Sequence, residues 1–164
     1  MKTKLFVMAV LAAGVLNATA QEGTFQTRSL TPEVALTAAR AALEHCRKQG
    51  YQVGVAVVDR AGITQVFLRD RFAGAHTVEV AANKAWTAVS FRTSTTALGE
   101  ETQAGKPMSG LRNVARFMAA GGGVVIEGGG TTLGAIGVSG APGGPADDVC
   151  AQAGIKAIAE TIEF

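Results

Sequence analysis

The sequence predicts an α/β domain of the α+β kind, a central, largely antiparallel sheet flanked by helices. Three observations carry this. Residues 53–59 form a short, nearly continuous apolar run, as in a strand covered on both faces. After the turn Arg60-Ala61-Gly62, the stretch 63–69 alternates and folds back on it as a hairpin. Helical patterns stand before and after this hairpin rather than between regularly alternating strands, which argues against a doubly wound parallel sheet.

The elements follow in order. Lys2 and Lys4 precede an apolar run over residues 5–16, with small residues at Ala18 and Ala20. This is the pattern of a secretory signal peptide cut after Ala20, and the run is shorter than the roughly 20 residues a membrane span needs. Residues 21–164 then form a single domain. Residues 21–29 read as a loose leader or a short edge strand at 25–27. Thr31 is a good N-cap, Pro32 suits the first helical position, and Val34, Ala38, Ala41, Ala42 and Cys46 recur at helical spacing until Gly50. Past the hairpin, a loop over 70–74 leads into a second helix over about 76–91, with Val78, Ala82, Ala85 and Val89 as its expected inner face. Residues 93–112 are polar, with a short helix around 95–102. Three further strands are expected at 116–119, 124–126 and 132–139, between glycine clusters that signal tight turns and close backbone packing. A closing helix is expected over about 145–161, with Asp147 and Asp148 in its first turn.

Composition narrows the function. The full chain has 15 basic and 13 acidic residues; cleavage after Ala20 removes two lysines and leaves the charges balanced. No basic stripe is visible, so a nucleic-acid partner is excluded, and the protein is expected to be periplasmic or secreted and not membrane-integrated. Its two cysteines, Cys46 and Cys150, lie in apolar helical surroundings. They read either as a disulfide closing a long loop, which an oxidising compartment permits, or as two buried thiols.

Enzyme signatures are weak. Gly137-Val138-Ser139-Gly140-Ala141 lacks the second glycine of a nucleophile elbow, having alanine there. Gly105-Lys106-Pro107 is not a phosphate loop. Only two histidines are present, with no zinc spacing.

Several stretches together carry a resemblance. They are Gly74-Ala75-His76-Thr77-Val78-Glu79-Val80-Ala81, Lys84-Ala85-Trp86-Thr87-Ala88, Gly122-Gly123-Val124 and Gly134-Ala135-Ile136-Gly137-Val138-Ser139-Gly140. Taken in order they resemble the GlcG/HbpS family of haem-binding-type proteins, which also occurs as the C-terminal domain of PduO-type proteins. The resemblance implies a profilin-like fold, a homo-oligomer and, in several members, haem or iron binding. The chain has Val125 where the family often has proline, which restores a backbone donor there.

His76 is then the main candidate. It stands where a loop meets a helix start, and neutral imidazole is an iron ligand. Phe72 would lie against a porphyrin, and Arg69 and Arg71 would pair with haem propionates. The site is expected to be a sheltered, apolar cleft. The plain alternative is that His76 caps the helix, with Glu79 reaching back. His45, Met108 and Met118 are lesser ligand candidates, and Trp86 reads as packing. The function expected is an exported small-molecule-binding protein taking haem. The alternative is an enzyme or accessory factor of a catabolic oxidation pathway.

Overall fold

Thr31 opens the first helix as its sequence requires, its hydroxyl accepting from the Val34 N–H, with Pro32 following. The computed structural model describes residues 23–163, so the expected signal peptide lies outside the described residues. The elements run α1 (Pro32–Lys48), β1 (Gly54–Asp59), β2 (Thr64–Arg69), α2 (Thr77–Phe91), α3 (Thr95–Glu101), a 3-10 turn (Ser109–Asn113), β3 (Gly123–Gly128), β4 (Thr131–Ser139), α4 (Gly144–Lys156) and α5 (Ala159–Ile162).

The four strands form one antiparallel sheet in the order β2-β1-β4-β3. β1 and β4 are central and buried on both sides, which is why β1 is apolar without alternation. Val55, Val57, Ile136 and Val138 face α1 and α4, while Ala56, Val58 and Ala135 face α2. Helices therefore cover both faces of the sheet.

Residues 25–27 have no ladder partner, so of the two readings the loose leader holds. One expected strand is absent. Residues 116–119 form a turn and an extended connection, because Arg116 takes a left-handed backbone (φ 71°) that a strand cannot continue. The closing helix also divides, α4 ending at Lys156 and α5 resuming at Ala159.

α2 packs unusually close to the sheet. A Cβ at Gly137 of β4 would run into the Ala81 carbonyl and the Ala85 N–H, so the glycine sets the helix-to-sheet distance. The helix contributes small residues to match, Ala81, Ala85 and Ala88. Of its predicted inner face, Ala85 and Val89 are buried and Ala82 packs against them, but Val78 is 46% exposed, and Lys84, expected on the polar side, is buried. A valine stripe would have held the helix further off.

Lys84 carries a charge into this packing, and its surroundings satisfy it. Its Nζ donates to the Val138 carbonyl (2.9 Å) and to the Asp147 carboxylate (2.8 Å), both side chains being buried. Asp147 also accepts from the Ala141 N–H (3.0 Å). Burial pushes the Asp147 carboxyl upward, and the lysine beside it opposes that shift. Neighbouring Asp148 accepts from the Gly122 N–H and the Thr96 hydroxyl. The first turn of α4 thereby ties together α2, β4, α3 and the approach to β3.

The cysteine alternatives resolve to a disulfide. Cys46 of α1 and Cys150 of α4 are bonded, with Cα atoms 5.5 Å apart and a sequence separation of 104. In the chain-entropy picture a loop of this length stabilises by about 4–5 kcal/mol.

Two outcomes follow for stability. Lys84→Met leaves a buried carboxylate alone and should cost about 3–5 kcal/mol at pH 7, read as a lower urea midpoint; an unchanged midpoint would show that the pair carries no stability. Reducing the disulfide should lower the same midpoint by an amount corresponding to about 2–5 kcal/mol, and no response to reductant would deny its structural weight.

Candidate functional site

The loop between β2 and α2 is organised around Asp70. Its N–H donates to the Val53 carbonyl (2.9 Å), which carries the chain over the end of the sheet. Its buried carboxylate accepts both the Nε and an Nη of Arg47 (2.9 and 3.1 Å) and the Arg71 N–H (2.9 Å). Hydrogen bonding from Arg47 holds the Asp70 carboxyl below the usual carboxylate range, against the opposing effect of burial. The Asp70 carbonyl then accepts from the Ala73 N–H, closing a turn that projects Arg71 and Phe72 outward.

Gly74 and Thr77 start the next helix. The Gly74 carbonyl accepts from both the N–H and the hydroxyl of Thr77 (3.0 and 2.7 Å). His76 holds the N-cap position with helical backbone, and its side chain makes no capping bond. The capping-box alternative is therefore not realised, and the imidazole is exposed. The ring lies against Gly74, where an added Cβ would come within 2.6 Å of its Cε1 and 2.7 Å of its Nδ1. That glycine leaves room for the ring in this position.

The four predicted site residues fall on one short stretch but differ in availability. Phe72 is 80% exposed, and Arg71 is exposed beside it. Arg69 is already engaged, its guanidinium donating to the Ala73 carbonyl. The expected sheltered cleft is not found; His76 and Phe72 stand on open surface. The reason is local: the turn at Asp70 throws Phe72 away from the core, and Val78 points outward with it. Two cavities lie elsewhere. One of about 420 Å³ is lined by residues including Leu30, Leu133 and Ile162. Another of about 270 Å³ sits beside the disulfide, lined by His45, Tyr51 and Val149 among others. Met108 belongs to the exposed segment before the 3-10 turn, and Met118 donates its N–H to the Thr87 hydroxyl.

Sequence reasoning missed a second cluster on α2. Arg116 lays its guanidinium over the Trp86 ring, 5.0 Å from the centroid, and its Nε donates to Asn83 Oδ1 at 3.3 Å. The reading of Trp86 as a packing residue stands, with an arginine as one of its partners. No pattern in the sequence pairs residues thirty positions apart, and reading 116–119 as a strand hid the turn that aims this side chain.

These features can be set beside known proteins. A family model described as "Haem degrading protein HbpS-like" matches residues 30–156. The chain belongs to the HbpS-like family. HbpS of Streptomyces reticuli, solved as a double mutant, superposes with a TM-score of 0.78 at 38% identity, covering 88% of this chain and 97% of that one. PduOC, solved as a haem complex, gives 0.75 at 32% identity, covering 79% and 95%. ORFY of Klebsiella pneumoniae gives 0.81 at 27% identity, covering 85% and 97%. In sequence, the chain is 34% identical over 103 residues to the corrinoid adenosyltransferase PduO of Salmonella typhimurium (strain LT2). That match takes in 62% of this chain but only 31% of PduO, so the chain spans about a third of this relative's length.

As for the residues present, an imidazole without an internal partner and two exposed apolar side chains fit an axial ligand with porphyrin contacts on one side. They do not enclose the ring.

The Asp70 anchor gives a pH test. Its folded pKa is depressed, so its contribution is present above the unfolded value of about 4 and is lost as pH falls through the folded one. Asp70→Asn should be less stable than the parent at pH 7, with the gap in urea midpoints narrowing below about pH 4. A gap independent of pH would remove the charge from the argument.

Proposed function

We propose that this HbpS-like protein is exported and binds haem, with His76 as an axial ligand. The observation that carries the reading is the exposed imidazole at the start of α2, free of any capping bond and flanked by exposed Phe72 and Val78. PduOC, similar over most of its length, is a haem complex, and the matching family is described as haem-degrading. Bound haem would supply an iron centre whose reactivity depends on its axial ligand and on access to the open side.

The chain's own residues would do the rest. His76 would offer a ring nitrogen, and Phe72 and Val78 would cover part of one porphyrin face with apolar surface. Arg71 would stand at the rim as a cation for a propionate. Because the single chain presents an open surface rather than a cleft, the second wall is assigned to another copy in a homo-oligomer. No helix among the described residues is long and apolar enough to cross a membrane. The expected leader at 1–20 supports a periplasmic or secreted setting. The partial match to PduO supports a second reading, an accessory role beside an enzyme of a catabolic pathway.

Titrating the purified protein with hemin should shift the Soret band, and His76→Ala should weaken binding at least tenfold, about 1.4 kcal/mol. Light scattering should give a multiple of the chain mass. Hemin that stays spectroscopically free at micromolar protein would end the haem reading, and a monomer would end the shared-wall reading.

A further inference from the structure

The line along α2 that starts at the exposed His76 N-cap leads to a second polar side chain, Asn83, which is buried beneath the Arg116 turn. Asn83 lies seven residues further on, which is nearly two turns and places it at almost the same angle around the axis, roughly 10 Å along it. Asn83 is where the Arg116 guanidinium is held, by the 3.3 Å bond from Nε, with its Cζ over the Trp86 ring, 5.0 Å from the centroid. The backbone of Arg116 is left-handed, a conformation that non-glycine residues adopt at a cost and that functional sites often retain. Its carbonyl accepts from the Thr87 hydroxyl, and the Met118 N–H donates to that hydroxyl's oxygen, so the turn is fixed to α2 on both sides.

The result is a preorganised cation that lacks an anion. Arg116 is exposed and takes part in none of the ion pairs formed among the described residues. Glu79, on the turn between His76 and Asn83, does not pair with it. The bond to Asn83 is to a neutral amide oxygen, and it uses only one of the five guanidinium N–H donors. The Nε bond to Asn83 and the Trp86 ring beneath Cζ restrain the guanidinium, leaving its remaining N–H groups to offer a carboxylate the paired geometry it accepts. By contrast, Arg69, one of the two arginines that sequence reasoning assigned to this task, is occupied by the Ala73 carbonyl.

We propose that Arg116, mounted on Trp86 and Asn83, is the carboxylate anchor of the site whose other end is His76. It receives a propionate of a tetrapyrrole lying along the outer face of α2. The inference rests on the haem reading above and adds the residue that fixes the orientation of the ring. A purely structural Arg116 would clamp the turn and ignore the ligand's charge.

The test compares hemin with hemin dimethyl ester, in which both carboxylates are masked. Binding is followed by the Soret band and by quenching of Trp86, the chain's single tryptophan. Arg116→Gln should weaken hemin about tenfold and leave the ester within about twofold of the parent. Arg116→Lys, which keeps charge but loses the flat fork, should fall between. His76→Ala should weaken both ligands. Circular dichroism and light scattering on each variant verify fold and assembly.

Equal loss of hemin and ester in Arg116→Gln would overturn the anchor and make the residue a clamp. The same equal loss with a smaller assembly would overturn it in favour of an acidic side chain from another copy. No hemin binding by the parent would overturn the haem reading and the anchor with it. Parent binding that depends on His76 but shows no discrimination by Arg116→Gln would overturn the anchor alone.

Discussion

The buried pair of Lys84 and Asp147 is the constraint on which the arrangement of the other elements depends. An unpaired ammonium at that depth would be strongly destabilising, so the fold must deliver a carboxylate and a carbonyl to within hydrogen-bond reach of it. Doing so fixes where α4 begins, because Asp147 lies in its first turn. It also fixes how β4 ends, because the carbonyl is that of Val138. Asp148 continues the same turn outward to Gly122 and Thr96. A single short segment thus holds the two faces of the sheet in register, which apolar packing, being non-directional, would do less specifically.

Much of the fold was legible in the sequence because its signals are local. The N-cap Thr31, the proline after it and the turn at Gly62 act within a few residues of themselves, and α1 and the hairpin form where they predict. The unbroken apolar run of β1 correctly implied a strand covered on both sides. What the sequence did not reveal depends on partners far along the chain. Lys84 looks like the polar side of a helix until Asp147, 63 residues away, is known to meet it. Residues 116–119 are apolar enough for a strand, but Arg116 is held to α2 instead. Cys46 and Cys150 admitted two readings because their spacing carries no information about distance in space.

The site divides in the same way. The loop holding Phe72 and His76 is contiguous, so the sequence could group these residues, and the structure places both on one exposed rim. Shelter was not legible, because enclosure is a property of surfaces that come together. α2 explains how one helix serves two purposes. Alanines and a facing glycine let it press against the sheet with Lys84 buried at its side, while Val78 and Glu79 are left to the opposite side. Asn83 and Thr87, between these two sides, are covered by the Arg116 turn.

The bond between Cys46 and Cys150 turns most of the domain into a covalent ring. The exposed stretch after α3, from Gln103 to Met108, lies inside that ring. A protease that severs the backbone there releases nothing. The two halves stay joined through sulfur, and on a denaturing gel the nick becomes visible only once a thiol reagent is added. A cut in this exposed segment would therefore not by itself separate the helix that begins at His76 from the strands beneath it.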